Sequence, residues 1–293
     1  MTYSTRTGQA GEAAVDRAKV NGGSARSHLL TTLGEFAWPD GKPAWTSSLL
    51  YVLSGLGFDA QAARRAVTRA SSAGWITGER RGRETVWTVT PKGNAIIADG
   101  FRRVRSLSQP PPTWDGRWLS VLMSVPDSQR IARSKLRKGL SWAGLGTPMT
   151  GVWVTPHADR EAEVRRLVIQ MGLEENTISF LGPSTSLGVS DDELVRRAWD
   201  LDAIRAGYEE LVRQYMNWAL REDEDVLVAH IRVVNRWAQL PFEDPVLPEE
   251  LAPNWVGRRV ASMLQGLGSQ WQDMARQRWQ EINRSGGNDR GTR

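Results

Sequence analysis

The chain has 293 residues, no cysteine and a formal net charge of +5; this length favours two or three domains with cores large enough to need no cross-link. The missing cysteines exclude disulfides, thiolate metal sites and cysteine nucleophiles. No apolar run fits a membrane span or a secretory signal, so a cytoplasmic protein is expected.

Charge is uneven along the chain. Residues 1–110 hold 15 Lys+Arg against 8 Asp+Glu, a net +7, and the remainder holds 23 against 25, a net −2. Attraction for a phosphate backbone therefore belongs to the first third. Residues 1–23 and 285–293 are polar and Gly-rich, too poor in apolar surface to offset their ordering entropy, and are expected to be disordered.

From Ser24 the pattern turns helical. Leu29, Leu30 and Leu33 share a face over residues 25–36, and Pro39, Asp40 and Gly41 end the segment in a turn. Thr46 is expected to cap a second helix, whose Leu49, Leu50, Leu53 and Leu56 form a stripe stopped by Gly57. Asp59 caps a third over residues 59–73, with Ala63, Ala66, Val67 and Ala70 on one face and Gly74 at its end. Its other face carries Gln61, Arg64, Arg65, Thr68 and Arg69, side chains that reach base edges and phosphates from a helix in a major groove.

The run WITGERRGRETVWTVT reads as two strands around Arg81-Gly82-Arg83. Arg80, Arg81 and Arg83 at that tip suit phosphates or a narrow minor groove. Thr90-Pro91 opens a further helix. Exposed arginines taken singly mark a solvated face. The order helix, helix, basic helix, basic hairpin instead predicts a winged helix-turn-helix over 24–108, with Thr46 and Ser47 holding phosphate at a helix N-terminus.

A Pro-rich linker at 109–113, within SLSQPPPTW, separates this module from the next. There RWLSVLMSVP is a strand, DSQRIARSKLRKGLSWAG a helix capped by Asp127 or Ser128, GVWVTPH a strand, ADREAEVRRLVIQMG a helix and NTISFLG a strand. One more strand near residues 140–149 completes a ferredoxin-like βαββαβ domain over 114–188. Residues 189–284 read as a helical domain: one or two helices at 191–221, another at 225–240, the Pro-bearing connector FEDPVLPEELAPNW, and a last helix at 255–283. The expected fold class is α+β.

Residues for other chemistry are sparse. His28, His157 and His230 lack metal-ligand spacing and read as structural, and Gly144, Gly146 and Gly151 read as turn residues, not a nucleotide cradle. Acidic pairs such as Asp191-Asp192 sit at helix starts, where capping explains them. No catalytic residue, metal or cofactor is expected. Arg130, Arg133 and Arg137 share a helix face that is either solvated or meets an anionic ligand. Of the 14 tryptophans, Trp75, Trp87, Trp118 and Trp153 fall where strand burial explains them, whereas Trp199, Trp218, Trp237 and Trp255 are candidate pocket walls.

The segments SARSHLLTTLGEF, PAWTSSLL, QAARRAVTRASSAGWI, GRETVWTVTPKG, WDGRWLSVLMSVP, GVWVTPH, WDLDAIRAGY and LPFEDPVLPEELAPNWVGRRV, in this order, resemble the PaaX family of transcriptional regulators. The resemblance runs from about Ser24 to Arg284. It implies a winged helix, a ferredoxin-like central domain, a helical C-terminal effector and dimerisation domain, homodimerisation, and release from DNA by a CoA thioester. On that reading two recognition helices enter successive major grooves of a partly palindromic double-stranded operator. An acyl-CoA-type or aromatic-acid metabolite, met by Arg130, Arg133, Arg137, Trp199, Trp218, His230 and Trp237, changes the dimer geometry and releases a repressor that is not an enzyme. Two alternatives stand beside it: a metal-dependent nuclease using the acid of Val125-Pro126-Asp127, and a DNA-binding protein that senses nothing.

Overall fold

The computed structural model describes residues 23–109, 113–125, 130–185, 187–216 and 218–288. The expected tails lie outside the described residues except for Gly23 and residues 285–288, as do linker residues 110–112 and the candidate caps Asp127 and Ser128. The fold is α+β, with a three-stranded and a four-stranded antiparallel sheet. Contacts divide it into two compact units. The first takes the described residues within Met1–Arg105, Asn217–Gln239 and Ser262–Arg293; the second those within Ser106–Met216 and Leu240–Ala261.

In the first unit, Ser24 caps helix α1 (Ala25–Thr32), its side chain accepting from the backbone N–H of Ser27. The helix continues as a π-helical turn, Leu33–Ala37. A short strand β1 (Ala44–Trp45) leads into α2 (Thr46–Gly55), so the cap position falls to Trp45, which makes no side-chain capping bond. This corrects the expectation that Thr46 is the cap: pairing of Ala44 with Trp87 and of Trp45 with Val86 starts the helix one residue early. Asp59 caps α3 (Ala60–Ser72) as expected, and Gly74 ends it at φ +72. Strands β2 (Ile76–Arg81) and β3 (Glu84–Val89) form a hairpin in the sheet order β1-β3-β2, and α4 (Pro91–Ser108) follows.

The core of this unit joins distant parts of the chain. Leu29, Leu33, Phe36, Leu49, Val52 and Ile76 pack with Leu227, Val228, Ile231, Ala275 and Trp279. Each such Leu or Ile contributes about 1.5–3 kcal/mol on burial. The later residues lie on α9 (Val226–Glu243) and α10 (Val256–Asn288). Polar ties reinforce the packing. His230, 1% exposed, bonds the carbonyl of Gly268 at 3.2 Å and the carboxylate of Glu35 at 3.1 Å, while Tyr51 donates to Asp225 at 2.5 Å and accepts from Arg278 at 3.1 Å.

The second unit is built on β4 (Trp118–Met123), α5 (Arg130–Trp142), β5 (Gly146–Met149), β6 (Val152–Thr155), α6 (Glu161–Met171) and β7 (Thr177–Gly182). The sheet order is β5-β6-β4-β7. Leu119, Val121 and Met123 of β4 meet Leu136 and Leu140 of α5 and Val164 and Val168 of α6 on one face. In the other set of alternating positions Leu122 pairs with Ile178 and Ser120 with Phe180; there Leu122, Ile178 and Phe180 remain 37, 60 and 62% exposed. The segment read as one or two helices forms two, α7 (Asp191–Ala198) and α8 (Leu201–Tyr215), broken at Trp199-Asp200 where Asp200 caps the second.

Candidate functional site

The sharply two-faced α3 sets the first candidate surface. Ala63, Ala66, Val67 and Ala70 are buried, and these small side chains leave Gln61, Arg64, Arg65, Thr68 and Arg69 exposed on the other side. Thr68 donates its hydroxyl to the Arg64 carbonyl at 3.0 Å. Arg65 lies back along the helix, its Nη2 donating to the side-chain oxygen of Gln61 at 2.9 Å and its Nε to the Gln61 carbonyl at 3.4 Å. Among the described residues Arg64 and Arg69 have no ion-pair partner. A solvated, unneutralised guanidinium is a good donor for an external anion.

The hairpin adds three arginines at its tip. Arg81 pairs with Glu84 across a two-residue turn, and Gly82 takes φ +67, a conformation that only glycine adopts without strain. Arg80 donates to the Gly82 carbonyl at 3.3 Å, whereas Arg81 is held by Glu79 through contacts of 2.9 and 3.1 Å. That hydrogen-bonded guanidinium keeps the Glu79 carboxyl below its ordinary value. Arg83 is exposed and unpaired among the described residues.

Thr46 and Ser47 take intramolecular partners. The Thr46 hydroxyl donates to the Thr85 carbonyl at 2.9 Å and accepts from Trp87 Nε1 at 2.9 Å. Both the backbone N–H and the hydroxyl of Ser47 donate to Glu84, so a carboxylate of β3 fills the N-terminus of α2 where a phosphate was expected. Hairpin and helix are thereby tied through the start of β3, next to the hairpin turn. The hairpin root is fixed as well: the Trp75 carbonyl accepts from the N–H and hydroxyl of Thr90, and any side chain at Gly93 would collide with that carbonyl.

The residues expected to meet an effector divide between the two units. Arg137 and Trp199 line a cleft of about 700 Å³ in the second unit, with Lys138, Trp142, Trp153 and Phe242 among its other walls. Trp142 and Phe242 stack with ring centroids 3.5 Å apart, and Gly146 is the residue that lets Trp199 approach. Arg133, on the same helix, donates to the Val125 carbonyl at 2.9 Å, and the side chain of Arg130 lies outside the described residues. In the first unit, Trp218 packs edge-on against Trp271, His230 holds Glu35, and Trp237 has a buried Nε1 with no hydrogen-bond partner among the described residues. Sequence reasoning missed Trp142 and Phe242; the position of Trp142 at the end of a basic helix was the available signal.

One cleft wall is strongly held. Asp244 is buried and accepts from Tyr208 at 2.7 Å, Trp255 Nε1 at 2.6 Å and the Val246 N–H at 2.7 Å, with Val246 at φ +54. Such a conformation for a β-branched residue is strained and persists only where its surroundings over-determine it. Trp255, read as a possible pocket wall, is thus a partner of Asp244. No group of three His, Asp or Glu among the described residues could hold a metal ion, and no helix among them is long and apolar enough to cross a membrane.

Comparison with known proteins bears on both surfaces. The solved structure of the uncharacterised protein Rv0674 from Mycobacterium tuberculosis shares the fold with a TM-score of 0.57 at 19% identity, over 88% of this chain and 99% of that one. The transcriptional repressor PaaX of Escherichia coli K12 is 29% identical over 262 residues, covering 85% of this chain and 80% of the repressor. Three family models match in succession: a PaaX-like protein model at 24–93, the PaaX central Cas2-like domain at 111–195 and the PaaX-like C-terminal domain at 199–281. With all three parts present in order, and with the basic helix and hairpin lying in the first of them, the chain belongs to the PaaX family of transcriptional regulators.

Proposed function

We propose that this chain is a non-enzymatic, DNA-binding transcriptional repressor acting in the cytoplasm. Its N-terminal part, 24–108, is a winged helix-turn-helix with α3 as recognition helix and the β2–β3 hairpin as wing. Gln61, Arg64, Arg65, Thr68 and Arg69 face base edges and phosphates, and Arg80, Arg81 and Arg83 add grip on the backbone. The carrying observation is that α3 buries only small residues and leaves its whole polar face open beside a basic hairpin. Thr46 and Ser47 serve this surface indirectly, by fastening the hairpin to α2. Replacing Arg64 and Arg65 together by alanine and measuring affinity for the DNA upstream of its own gene, at two salt concentrations, tests the reading. Unchanged affinity removes α3 from the interface.

The central part, 114–188, is ferredoxin-like; the strand order β5-β6-β4-β7, with helices on one face, supports this topology. A homodimer on a partly palindromic operator is supported by the exposed apolar row Leu122, Ile178 and Phe180, which a second copy would cover. The proposed effector is an acyl-CoA-type or aromatic-acid metabolite. The cleft supports this with ring faces from Trp142, Trp199 and Phe242 beside the cations of Arg137 and Lys138. A thermal-shift panel of CoA thioesters and free aromatic acids, on the natural chain and on Arg137→Ala, reads it directly: a ligand that stabilises both equally does not use this cleft.

A further inference from the structure

We infer that Arg65 reads a guanine and that Gln61 is its positioning residue, an assignment that rests on α3 being the recognition helix. A guanidinium carries five N–H donors in a planar fork. In Arg65 the edge formed by Nε and Nη2 is occupied, because Nε donates to the Gln61 carbonyl at 3.4 Å and Nη2 to the Gln61 side-chain oxygen at 2.9 Å. A guanidinium only donates, so the atom of the Gln61 amide that faces it is the oxygen. What stays open is the outer end, where Nη1 and the second hydrogen of Nη2 point the same way. Two parallel donors match the two acceptors, O6 and N7, that guanine shows in the major groove.

The same contact decides what Gln61 does not do. Bidentate recognition of adenine by glutamine needs its oxygen to accept from N6 while its nitrogen donates to N7. The oxygen of Gln61 already accepts from Arg65, so only its second lone pair is left and the amide cannot turn freely to align both its atoms with an adenine edge. Both residues lie in the N-terminal part of α3, the part of a recognition helix that reaches base edges. Among the described residues Arg64 and Arg69 have no such tether. Restraining the Arg65 side chain before DNA arrives lowers the ordering cost that an exposed, mobile arginine meets on binding. The pair thus concentrates base selection at one arginine and leaves the other two to phosphates.

The test is selection from random double-stranded 20-mers with the full chain, followed by quantitative binding to single-base variants of the winning sequence. The natural protein is expected to prefer guanine at one position per half-site by about 5- to 150-fold over adenine. Arg65→Ala should abolish that preference. Gln61→Ala should cut it several-fold at the same position and leave the other positions alone, and Gln61→Glu, which still offers an acceptor to Arg65, should restore it even where repulsion weakens overall affinity. If Gln61→Ala instead alters selection at a different base pair, the positioning role is overturned. If Arg65→Ala weakens every sequence equally, Arg65 is a phosphate contact and the guanine assignment fails while the recognition helix stands. Indifference of DNA binding to the joint loss of Arg64 and Arg65 removes the helix itself, and with it the inference.

Discussion

The carboxylate of Glu84, at the start of β3, closes the N-terminus of α2 by accepting from the backbone N–H of Ser47 at 3.2 Å and from its hydroxyl at 2.9 Å. It is an N-cap supplied from a neighbouring strand, in a place where the preceding residue, Trp45, has no capping side chain. Glu84→Ala is therefore expected to destabilise the protein by about 0.5–2 kcal/mol, the range of a lost cap. Urea unfolding measures it, and an unchanged midpoint would show that water replaces the carboxylate without cost.

Arg64 and Arg69 are free among the described residues, so each is expected to act as a phosphate contact. Single alanine variants should each lower the slope of log affinity against log salt by about 0.9 and weaken all sequences alike. Fluorescence anisotropy on cognate and scrambled duplexes between low and moderate salt separates this from base reading. A change confined to the cognate duplex contradicts it.

Phe180 lies 62% exposed beside Ile178 and Leu122 on the four-stranded sheet. A charge there should not disturb the core, which lies on the opposite face. Phe180→Asp is expected to give a folded monomer by sedimentation equilibrium, with weakened operator binding because two half-sites no longer belong to one assembly. A dimer that survives the substitution places the self-association elsewhere.

Burial pushes the His157 imidazole below its ordinary value, against the hydrogen bond to the Pro245 carbonyl at 3.1 Å. The unfolded chain consequently takes up this proton first as the solution is acidified. The contribution of neutral His157 is complete above the ordinary histidine value of about 6.5 and drains away below it. His157→Gln should flatten the stability profile between about pH 5 and 7 in denaturant titrations. Asp225 acts lower on the scale: burial raises its carboxyl, but the bonds from Tyr51 and Arg278 prevail and hold it down, so its share is lost only as pH falls through the carboxylate range. Asp225→Asn should leave the histidine step intact.

Much of the basic surface was legible because periodicity reports burial directly. Ala63, Ala66, Val67 and Ala70 repeat at helical spacing, and their burial fixes where Gln61, Arg64, Arg65 and Arg69 must lie. The hairpin was legible for a similar reason, since Gly82 marks the turn between two β-rich runs. The cap of α2 was not: β1 is two residues long, and its pairing with β3 is a long-range choice that no local pattern carries. The cleft was half legible. Arg137 and Trp199 were identified, but Phe242 belongs to a segment about a hundred residues from Trp142, and stacking across that distance leaves no trace in spacing. Trp218 and His230 are not among the cleft's walls; within the first unit each meets a partner far away in the chain, Trp271 and Glu35.

The shared core of Leu29, Leu49 and Phe36 with Ile231, Ala275 and Trp279 has a consequence for biosynthesis. The part of the chain that leaves the ribosome first cannot finish folding until the part that leaves last is made. At roughly 5–20 residues per second, that interval is on the order of ten seconds or more. During it Leu29, Leu49 and Phe36 lack their final cover, so a chain interrupted after α4 would emerge with a sticky flank instead of a working DNA reader.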